Sequence, residues 1–483
     1  MKDIQGQLIS GVFFTALAKY ANLIISLIVT AVLARLLAPD QFGVVAIATV
    51  AITFLNLIAD IGLSATVIQH KELDQKAMSA LFSLSVYITV LLSVLFFLCA
   101  GIFASWYDQP ILKPICQWLA LSLLFSGITV VPNALFYRER LFKAIALRSL
   151  VIQLVGGAIS VAAAFNGYGV YALIINPIFS SLLIFAISYA KFPLKFTFRF
   201  SLQALRPIFS YSLYQFLFNI INYFSRNADT LLIGKYLGMV PLGYYDKSYR
   251  LMSLPLQNIT QVITPVIHPI LSMKGKDLEY LNRVNLKLVS FLALIGFPLA
   301  VFLYFCSEEL ILLFFGPQWE LAIPTFKILS LTVGIQLVLS SSGSIFQTAG
   351  DTRSLFICGL FSAVVNVTGI LLGVFYFKSI EAVAQCLLVT FSINFVQTYW
   401  LMYRVIFKES LLAFFTCLWK PILFAGLLAV LLFGADLWFH WDQQLYNFLI
   451  KSLIFGPSFA LLIWFGGYQA DIKQFIYRKR SKQ

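Results

Sequence analysis

Charged residues are scarce in this 483-residue chain. Only 11% of its residues are charged and 60% are hydrophobic, whereas soluble domains carry roughly 25% charged and about 45–50% apolar residues. This shortage excludes water as the main solvent of the folded chain. Apolar runs long enough to cross a bilayer follow one another from Gly11 to Gly467, separated by short polar joints. Almost nothing is left for a globular domain.

Sequence motifs for metal binding, ATP hydrolysis and catalysis are also missing. The six cysteines form no CxxC pair, and no histidine lies at metal-ligand spacing, so we expect packing cysteines and no metal site. No GxxxxGK[ST] sequence occurs, which argues against an intrinsic ATP motor, and we predict no cofactor. We also predict that the chain is not an enzyme and has no catalytic residues. The longest outer joints offer only scattered acidic residues and one histidine, namely Glu308, Glu309, Asp436, His440 and Asp442.

The apolar runs predict an all-α integral membrane protein with about fourteen transmembrane helices. If the N-terminus is cytoplasmic, most Lys and Arg residues fall in cytoplasmic joints, which fixes the orientation and places the C-terminus in the cytoplasm too. The net charge of +14 is therefore explained by topology and does not indicate nucleic-acid binding. The predicted spans are 12–34, 42–66, 81–104, 114–136, 149–166, 170–190, 208–232, 241–265, 286–306, 322–347, 355–376, 381–403, 421–438 and 447–467.

An internal repeat appears at an offset of 200 residues. Laying AVLARLLAPDQFG (31–43) over LLIGKYLGMVPLG (231–243) pairs Arg35 with Lys235 and Gly43 with Gly243. Six spans fit in each half, and an even number gives parallel repeats related by an axis along the membrane normal. We therefore predict two pseudo-symmetric six-helix lobes. The predicted divisions are an N-lobe (1–190), a cytoplasmic linker (191–207), a C-lobe (208–404), two further helices (405–467) and a basic cytoplasmic tail (468–483).

Polar residues recur at three- and four-residue steps along predicted helices 1, 2, 7 and 8, so each set lies on one helix face. A charged side chain near the bilayer centre costs about 2.5–3.5 kcal/mol, so these residues should face water or each other. Asp60, Asp229 and Asp246 are candidates for charge partners or ion coupling. The candidate cavity residues are Lys19, Asn22, Asn56, Asn219, Asn222, Arg226, Lys247 and Arg250.

Two interpretations of these polar stripes stay open. They could line a translocation pathway, in which three cations on helices 7 and 8, completed by Lys19, would attract a pyrophosphate. Alternatively, Arg226 with Asp229, and Asp246 with Arg250, could form structural pairs that hold the lobes together. The two interpretations are not exclusive.

Two long runs of sequence resemble a known family. They are SGVFFTALAKYANLIISLIVTAVLARLLAPDQFGVVAIA near the N-terminus and FNIINYFSRNADTLLIGKYLGMVPLGYYDKSYRLMSLP in the middle of the chain. Both look like the polysaccharide transporter family, which includes O-antigen, colanic-acid and teichuronic-acid exporters. That family belongs to the superfamily of multidrug, oligosaccharidyl-lipid and polysaccharide flippases. The resemblance covers essentially the whole chain.

The resemblance implies a function in the bacterial cytoplasmic (inner) membrane. It implies a bundle of twelve helices with two extra ones that moves undecaprenyl-pyrophosphate-linked oligosaccharides between leaflets by alternating access. Lys19, Arg226, Lys247 and Arg250 would then hold the pyrophosphate. The expected partners are the lipid-linked substrate and membrane lipids, with a polysaccharide polymerase or chain-length complex as a candidate. An ion-coupled exporter of drugs or other small molecules is the alternative, and a structural membrane protein is a third class.

Overall fold

All regular secondary structure in the described residues is helical. Helices are expected in lipid, because a segment that crosses the hydrocarbon core must satisfy its backbone donors and acceptors internally. Side chains are described except in 2–13, 206–219, 262–272, 462 and 465. The computed structural model of the chain describes residues 2–70, 73–197, 206–272, 277–438 and 443–465.

Residues 1–243 form one compact unit. Within it, α1 packs on α7, α4 on α5, α7 on α8, and α2 on both α5 and α9. The first residues of α10 (Met239–Ser272) also belong to this unit. Its helices are α1 (Lys2–Leu36), α2 (Pro39–Asp60), α3 (Leu63–Gln69), α4 (Gln75–Trp106), α5 (Leu112–Ile128), α6 (Val130–Arg138), α7 (Phe142–Phe165), α8 (Tyr171–Lys191) and α9 (Arg206–Tyr236).

Residues 244–483 form a second compact unit, which contains the rest of α10. Here α11 packs on α14 and α18, α16 on α17, and α19 on α12 and α18. A 3₁₀ turn (Pro317–Ala322) precedes α13, and π-helical turns follow α16 and α17. Its further helices are α11 (Leu278–Phe305), α12 (Ser307–Phe315), α13 (Ile323–Ser330), α14 (Thr332–Leu339), α15 (Ser342–Thr348), α16 (Thr352–Leu371), α17 (Ile380–Leu401), α18 (Leu412–Trp438) and α19 (Gln444–Phe465).

The predicted all-α membrane fold is confirmed. Across the described ranges, nine helices are long and apolar enough to cross a membrane, or eleven if each of two bent pairs is one span. Helices α9, α10 and α19 lie outside those eleven, so the number fourteen stays a prediction. The lobe boundaries near 190 and 208 likewise stay predictions.

Three predicted spans are not continuous helices. The span 42–66 is wrong at Ile61 and Gly62, whose φ angles of 36° and 87° end α2 and start α3. Both residues adopt the left-handed backbone conformation, which a hydropathy profile does not reveal. The span 114–136 bends by 41° between α5 and α6, and the span 322–347 bends by 44° between α13 and α14.

Three helix starts at predicted cytoplasmic joints are fixed by local capping. The side chains of Asp74, Asp277 and Asp351 each accept a hydrogen bond from the backbone N–H three residues later, at 2.8–3.0 Å. An N-terminal cap satisfies a backbone donor that the helix itself leaves open. The short polar joints therefore supply helix caps as well as connecting the apolar segments.

An aromatic cluster forms the core of the second unit. The rings of Tyr399 and Phe414 stack with centroids 4.1 Å apart. The Tyr399 hydroxyl donates to the carbonyl of Val338 at 3.0 Å, and the Tyr403 hydroxyl donates to Asn282 Oδ1 at 3.1 Å. These contacts hold α17 and α18 against α11 and α14.

We expect Phe414→Ala to lower the free energy of unfolding by about 3 kcal/mol, because it removes a fully buried ring and leaves a cavity. Unfolding of the purified protein in mixed micelles measures this. Phe415 is 46% exposed, so Phe415→Ala is the matched control and should change stability little. An equal loss in both variants would contradict this description of the core.

Candidate functional site: the polar stripes

A charged cluster lies near the start of α10. Arg250 Nε donates to Asp246 Oδ1 at 2.9 Å, and Lys247 Nζ lies 3.5 Å from Asp246 Oδ2. The Arg250 side chain is 58% exposed, whereas those of Lys247 and Asp246 are 7% and 12% exposed. One carboxylate therefore pairs with two cations, and the cluster of three side chains has a net charge of +1.

The bond to Asp246 leaves most hydrogen-bond donors of the Arg250 guanidinium available. A guanidinium has five N–H donors in a fixed fork, and this bond uses only the one on Nε. Asp246 thus orients the side chain while donors that suit a bidentate phosphate contact remain. The predicted pair of Asp246 and Arg250 is present, and the pair is compatible with anion binding by the same arginine.

The stripe on α9 is divided between the surface and the interior. Asn222 and Arg226, one helical turn apart, are both exposed. Asp229 is only 5% exposed, and its carboxylate accepts the backbone N–H of Thr230 at 2.7 Å. The side chain of Asn219 lies outside the described residues. Arg226 is therefore presented to the surroundings while Asp229 is turned into the protein.

On α1, the two candidate residues contact their own helix or a neighbour. The half-buried Lys19 ammonium lies 5.7 Å from the centroid of the Tyr20 ring. Asn22 Nδ2 donates to Ser149 Oγ on α7 at 3.0 Å. The Asn22 amide therefore faces a helix of the same unit.

The candidates on α2 also have partners in the first unit. Asn56 Oδ1 accepts a hydrogen bond from Ser126 Oγ on α5 at 2.5 Å. Asp60 Oδ1 accepts the backbone N–H of Ser64 at 2.9 Å and so supports the start of α3. The structure thus brings Asp246, Lys247 and Arg250 together, whereas it places Lys19, Asn22, Asn56 and Asp60 in separate local contacts. A pathway lined by these residues stays a prediction.

A reciprocal helix crossing joins the starts of α2 and α10. A methyl group on Gly43 would overlap the carbonyl oxygen of Met239, and a methyl group on Gly243 would overlap the carbonyl oxygen of Pro39. Only glycine permits such a close backbone approach. The 200-residue offset pairs Gly43 with Gly243 and Pro39 with Met239, so it converts one contact into the other. This is expected for segments related by a two-fold axis. We call this contact the glycine crossing.

The α9 helix is held to the same end of the first unit. The Lys235 ammonium pairs with Asp108 at 3.0 Å, and the Tyr107 hydroxyl donates to the carbonyl of Leu231 at 3.5 Å. Burial raises the pKa of Tyr107 to about 12, so the hydroxyl keeps its proton. Further along, the Tyr223 hydroxyl donates to the carbonyl of Val50 at 2.6 Å. These bonds join α9 to α2 and to the turn after α4.

The half-buried Arg148 has partners that the sequence does not predict. Its guanidinium donates to Asn133 Oδ1 and to Ser188 Oγ, both at 2.7 Å, and lies 4.8 Å from the centroid of the Phe136 ring. It therefore joins α6, α7 and α8. The predicted span 149–166 leaves Arg148 in the preceding polar joint, so hydropathy does not indicate these partners; the structure instead begins α7 at Phe142.

A second cluster was also missed. Glu309 and Asp436 are not scattered, since both carboxylates bind the ammonium of Lys451. A lysine inside the predicted span 447–467 was the available signal, because a charge there requires a partner. His440 and Asp442, named with them, lie outside the described residues.

Comparisons with known proteins agree with the sequence resemblance. A family model described as "Polysaccharide biosynthesis protein" matches residues 32–324. The teichuronic acid biosynthesis protein TuaB of Bacillus subtilis (strain 168) is 25% identical over 449 residues, which cover 90% of each chain. The lipopolysaccharide biosynthesis protein WzxC of Escherichia coli (strain K12) is 26% identical and covers 87% of this chain and 85% of its own. The succinoglycan biosynthesis transport protein ExoT of Rhizobium meliloti (strain 1021) is 25% identical, over 81% of this chain and 79% of its own.

Solved structures give the fold. The lipid II flippase MurJ, in an inward closed conformation, superposes with a TM-score of 0.74 over 97% of this chain and 99% of its own, at 15% identity. An inward-facing multidrug resistance MATE transporter superposes with a TM-score of 0.63 over 80% of this chain and 96% of its own, also at 15% identity. The resemblance to the polysaccharide transporter family is therefore confirmed, and the chain belongs to the polysaccharide biosynthesis protein family.

Proposed function

We propose that this chain is a flippase for lipid-linked oligosaccharides. It moves undecaprenyl-pyrophosphate-linked repeat units across the bacterial cytoplasmic membrane by alternating access, for the synthesis of a surface polysaccharide. The observation that carries this proposal is the family match over residues 32–324 in a chain built of membrane-spanning helices. It acts as a transporter and performs no covalent step on the sugar.

The α10 cluster suits the charged part of such a substrate. A pyrophosphate needs cationic donors with fixed geometry, and Arg250 is both exposed and oriented by Asp246. Lys247 adds a second positive charge beside it. Arg226, exposed on α9, is a further candidate for the headgroup. The exposed Asn222, one turn before Arg226, suits a sugar hydroxyl.

The free-energy cost of translocation differs between the polyprenyl tail and the polar headgroup. The tail stays in lipid throughout the cycle, because its apolar surface gains nothing from leaving the bilayer. Only the pyrophosphate and the sugar must avoid the hydrocarbon core, where unpaired polar groups are costly. The protein therefore needs to supply a polar path for the headgroup alone, and no ATP site is required.

The glycine crossing is the contact that such a cycle would open and close at the predicted outer end. The turns before α2 and α10 both lie at predicted outer positions, and the crossing joins them by backbone contact. With both termini in the cytoplasm, opening of this end would release the sugar outside. A polysaccharide polymerase or chain-length complex would receive the repeat unit there.

Loss of the gene tests the proposal in cells. Mass spectrometry of polyprenyl-linked lipids should detect a complete, unpolymerised repeat unit that accumulates when the chain is absent and the polymer pathway is active. A plasmid copy should return the lipid pool to its normal level. An unchanged pool together with normal surface polymer would instead favour the ion-coupled export of small molecules.

A further inference from the structure

A buried ion cluster lies where α11 and α12 meet α18 and α19. The Lys451 ammonium donates to Glu309 Oε1, to Asp436 Oδ1 at 2.7 Å and to the carbonyl oxygen of Phe305 at 2.7 Å. The side chains of Lys451 and Glu309 are 8% and 4% exposed, whereas that of Asp436 is 37% exposed. Three acceptors use all three N–H donors of the ammonium.

The charges of this cluster do not balance. Two carboxylates face one ammonium, so the ionised cluster would carry a surplus negative charge. The second oxygen of Glu309, Oε2, is buried and has no hydrogen-bond partner among the described residues. A buried carboxylate without a partner for its charge usually becomes neutral by binding a proton.

Among the residues that the structure describes, Lys451 is the cation paired with Glu309. Asp436 is the more exposed carboxylate and is the natural ionised partner of Lys451. Burial raises the pKa of Glu309, against the lowering effect of the Lys451 ammonium. Glu308 is exposed and accepts a hydrogen bond from Gln444 at 3.0 Å. Other titratable groups nearby in the chain are the buried thiol of Cys306 and the exposed side chains of Glu320, Lys327 and Tyr446. The adjacent helices also carry Glu279, Tyr280, Arg283, Lys287 and Tyr304 on α11, and Cys417 and Lys420 on α18.

We propose that Glu309 is a proton-binding site, with the proton held on Oε2. In the protonated form the cluster is neutral, and Lys451 with Asp436 forms an ordinary ion pair that fastens α19 to α12 and α18. Loss of the proton leaves a buried surplus charge and weakens that attachment. The site is separate from the α10 cluster, and it links the protonation state at the predicted outer end to the packing of the last two helices.

The direction of the pH effect follows from the burial of Glu309. Folding makes this carboxyl bind its proton more tightly than it does in the unfolded chain. The stabilisation is therefore complete below the ordinary pKa of about 4.3 and is lost as the pH rises toward the raised value. The attachment of α19 should accordingly be firmer in mildly acidic medium than in alkaline medium.

Infrared difference spectroscopy of the purified full-length chain tests the proposal. Between about pH 5 and about pH 8, the wild-type protein should show the carbonyl-stretch band of a buried carboxylic acid, lost as the pH rises. Glu309→Gln keeps an acceptor for Lys451 and should lack the band. Asp436→Asn is the matched control and should keep it, since Asp436 is the ionised partner.

Thermal unfolding gives an independent measurement. The unfolding midpoint of the wild type should fall as the pH rises over the same interval, and Glu309→Gln should lose most of that dependence. A wild-type spectrum without the acid band would overturn the proposal, and so would a band that persists in Glu309→Gln. If Glu309→Gln does not fold, Glu309→Asp should shift the band while Asp436→Asn leaves it in place. If sodium ions stabilise the protein at constant pH and no acid band is seen, the proposal of proton binding is wrong and Glu309 binds a metal cation instead.

Discussion

Export falls by roughly 10- to 100-fold when Arg250 is replaced by alanine, because a hydrogen bond to a charged group contributes about 1.5–3 kcal/mol. The loss arises from the free donors of the guanidinium fork and not from the bond to Asp246. Arg250→Lys keeps the charge without the fork and should retain an intermediate level of export. Accumulation of lipid-linked repeat units in complemented deletion cells measures each variant.

A matched control separates substrate binding from helix stability. Arg283 on α11 forms the same type of pair, with Glu279 one turn earlier at 3.6 Å, and its side chain is 67% exposed. Arg283→Ala should leave export unchanged. If Asp246 and Arg250 were only a structural pair, Asp246→Asn and Arg250→Ala would lower the thermal stability equally. Full export by Arg250→Ala at a normal protein level would exclude the phosphate role.

The second large effect is expected at the glycine crossing. Leucine at Gly43 or at Gly243 would meet a backbone carbonyl that cannot move aside without separating the two helices. Overpacking of this kind costs about 1–3 kcal/mol, and each 1.4 kcal/mol changes an equilibrium roughly ten-fold. Each variant should therefore shift the outer end toward the open form by roughly 5- to 150-fold and reduce export correspondingly.

The control for the crossing is Gly101 on α4, where an added Cβ would meet nothing within 4 Å. Gly101→Leu should support normal export. Because the two contacts are reciprocal, Gly43→Leu and Gly243→Leu should have similar effects, and both chains should still accumulate in the membrane. Normal export by either variant would show that the crossing need not close.

The sequence was sufficient to predict the helical membrane class and the family, whereas the two-lobe repeat stays a prediction. Gly43 and Gly243, paired only by a weak overlay, occupy equivalent places in the glycine crossing. Lipid imposes long apolar helices, so hydropathy alone carries that information. The break at Ile61 was not predictable in this way, because it depends on a positive φ angle that the hydropathy of the side chain does not reveal.

The candidate site was predictable only in part. Periodicity placed Arg250 one turn after Asp246, and the pair forms as that spacing allows. Periodicity could not tell which polar residues face a neighbouring helix, as Asn22 faces Ser149. The partners of Lys451 come from α12 and α18, which are distant in sequence, so their meeting depends on tertiary packing.

The most direct test of the flippase is transport by the purified chain in liposomes. Lipid-linked repeat units extracted from the deletion strain would be placed in both leaflets, and a lectin added outside would measure how fast the inner pool becomes accessible. The wild-type chain should expose that pool faster than protein-free liposomes, and Arg250→Ala should not, whereas Arg283→Ala should match the wild type. Equal rates with and without the wild-type chain would contradict the proposed function.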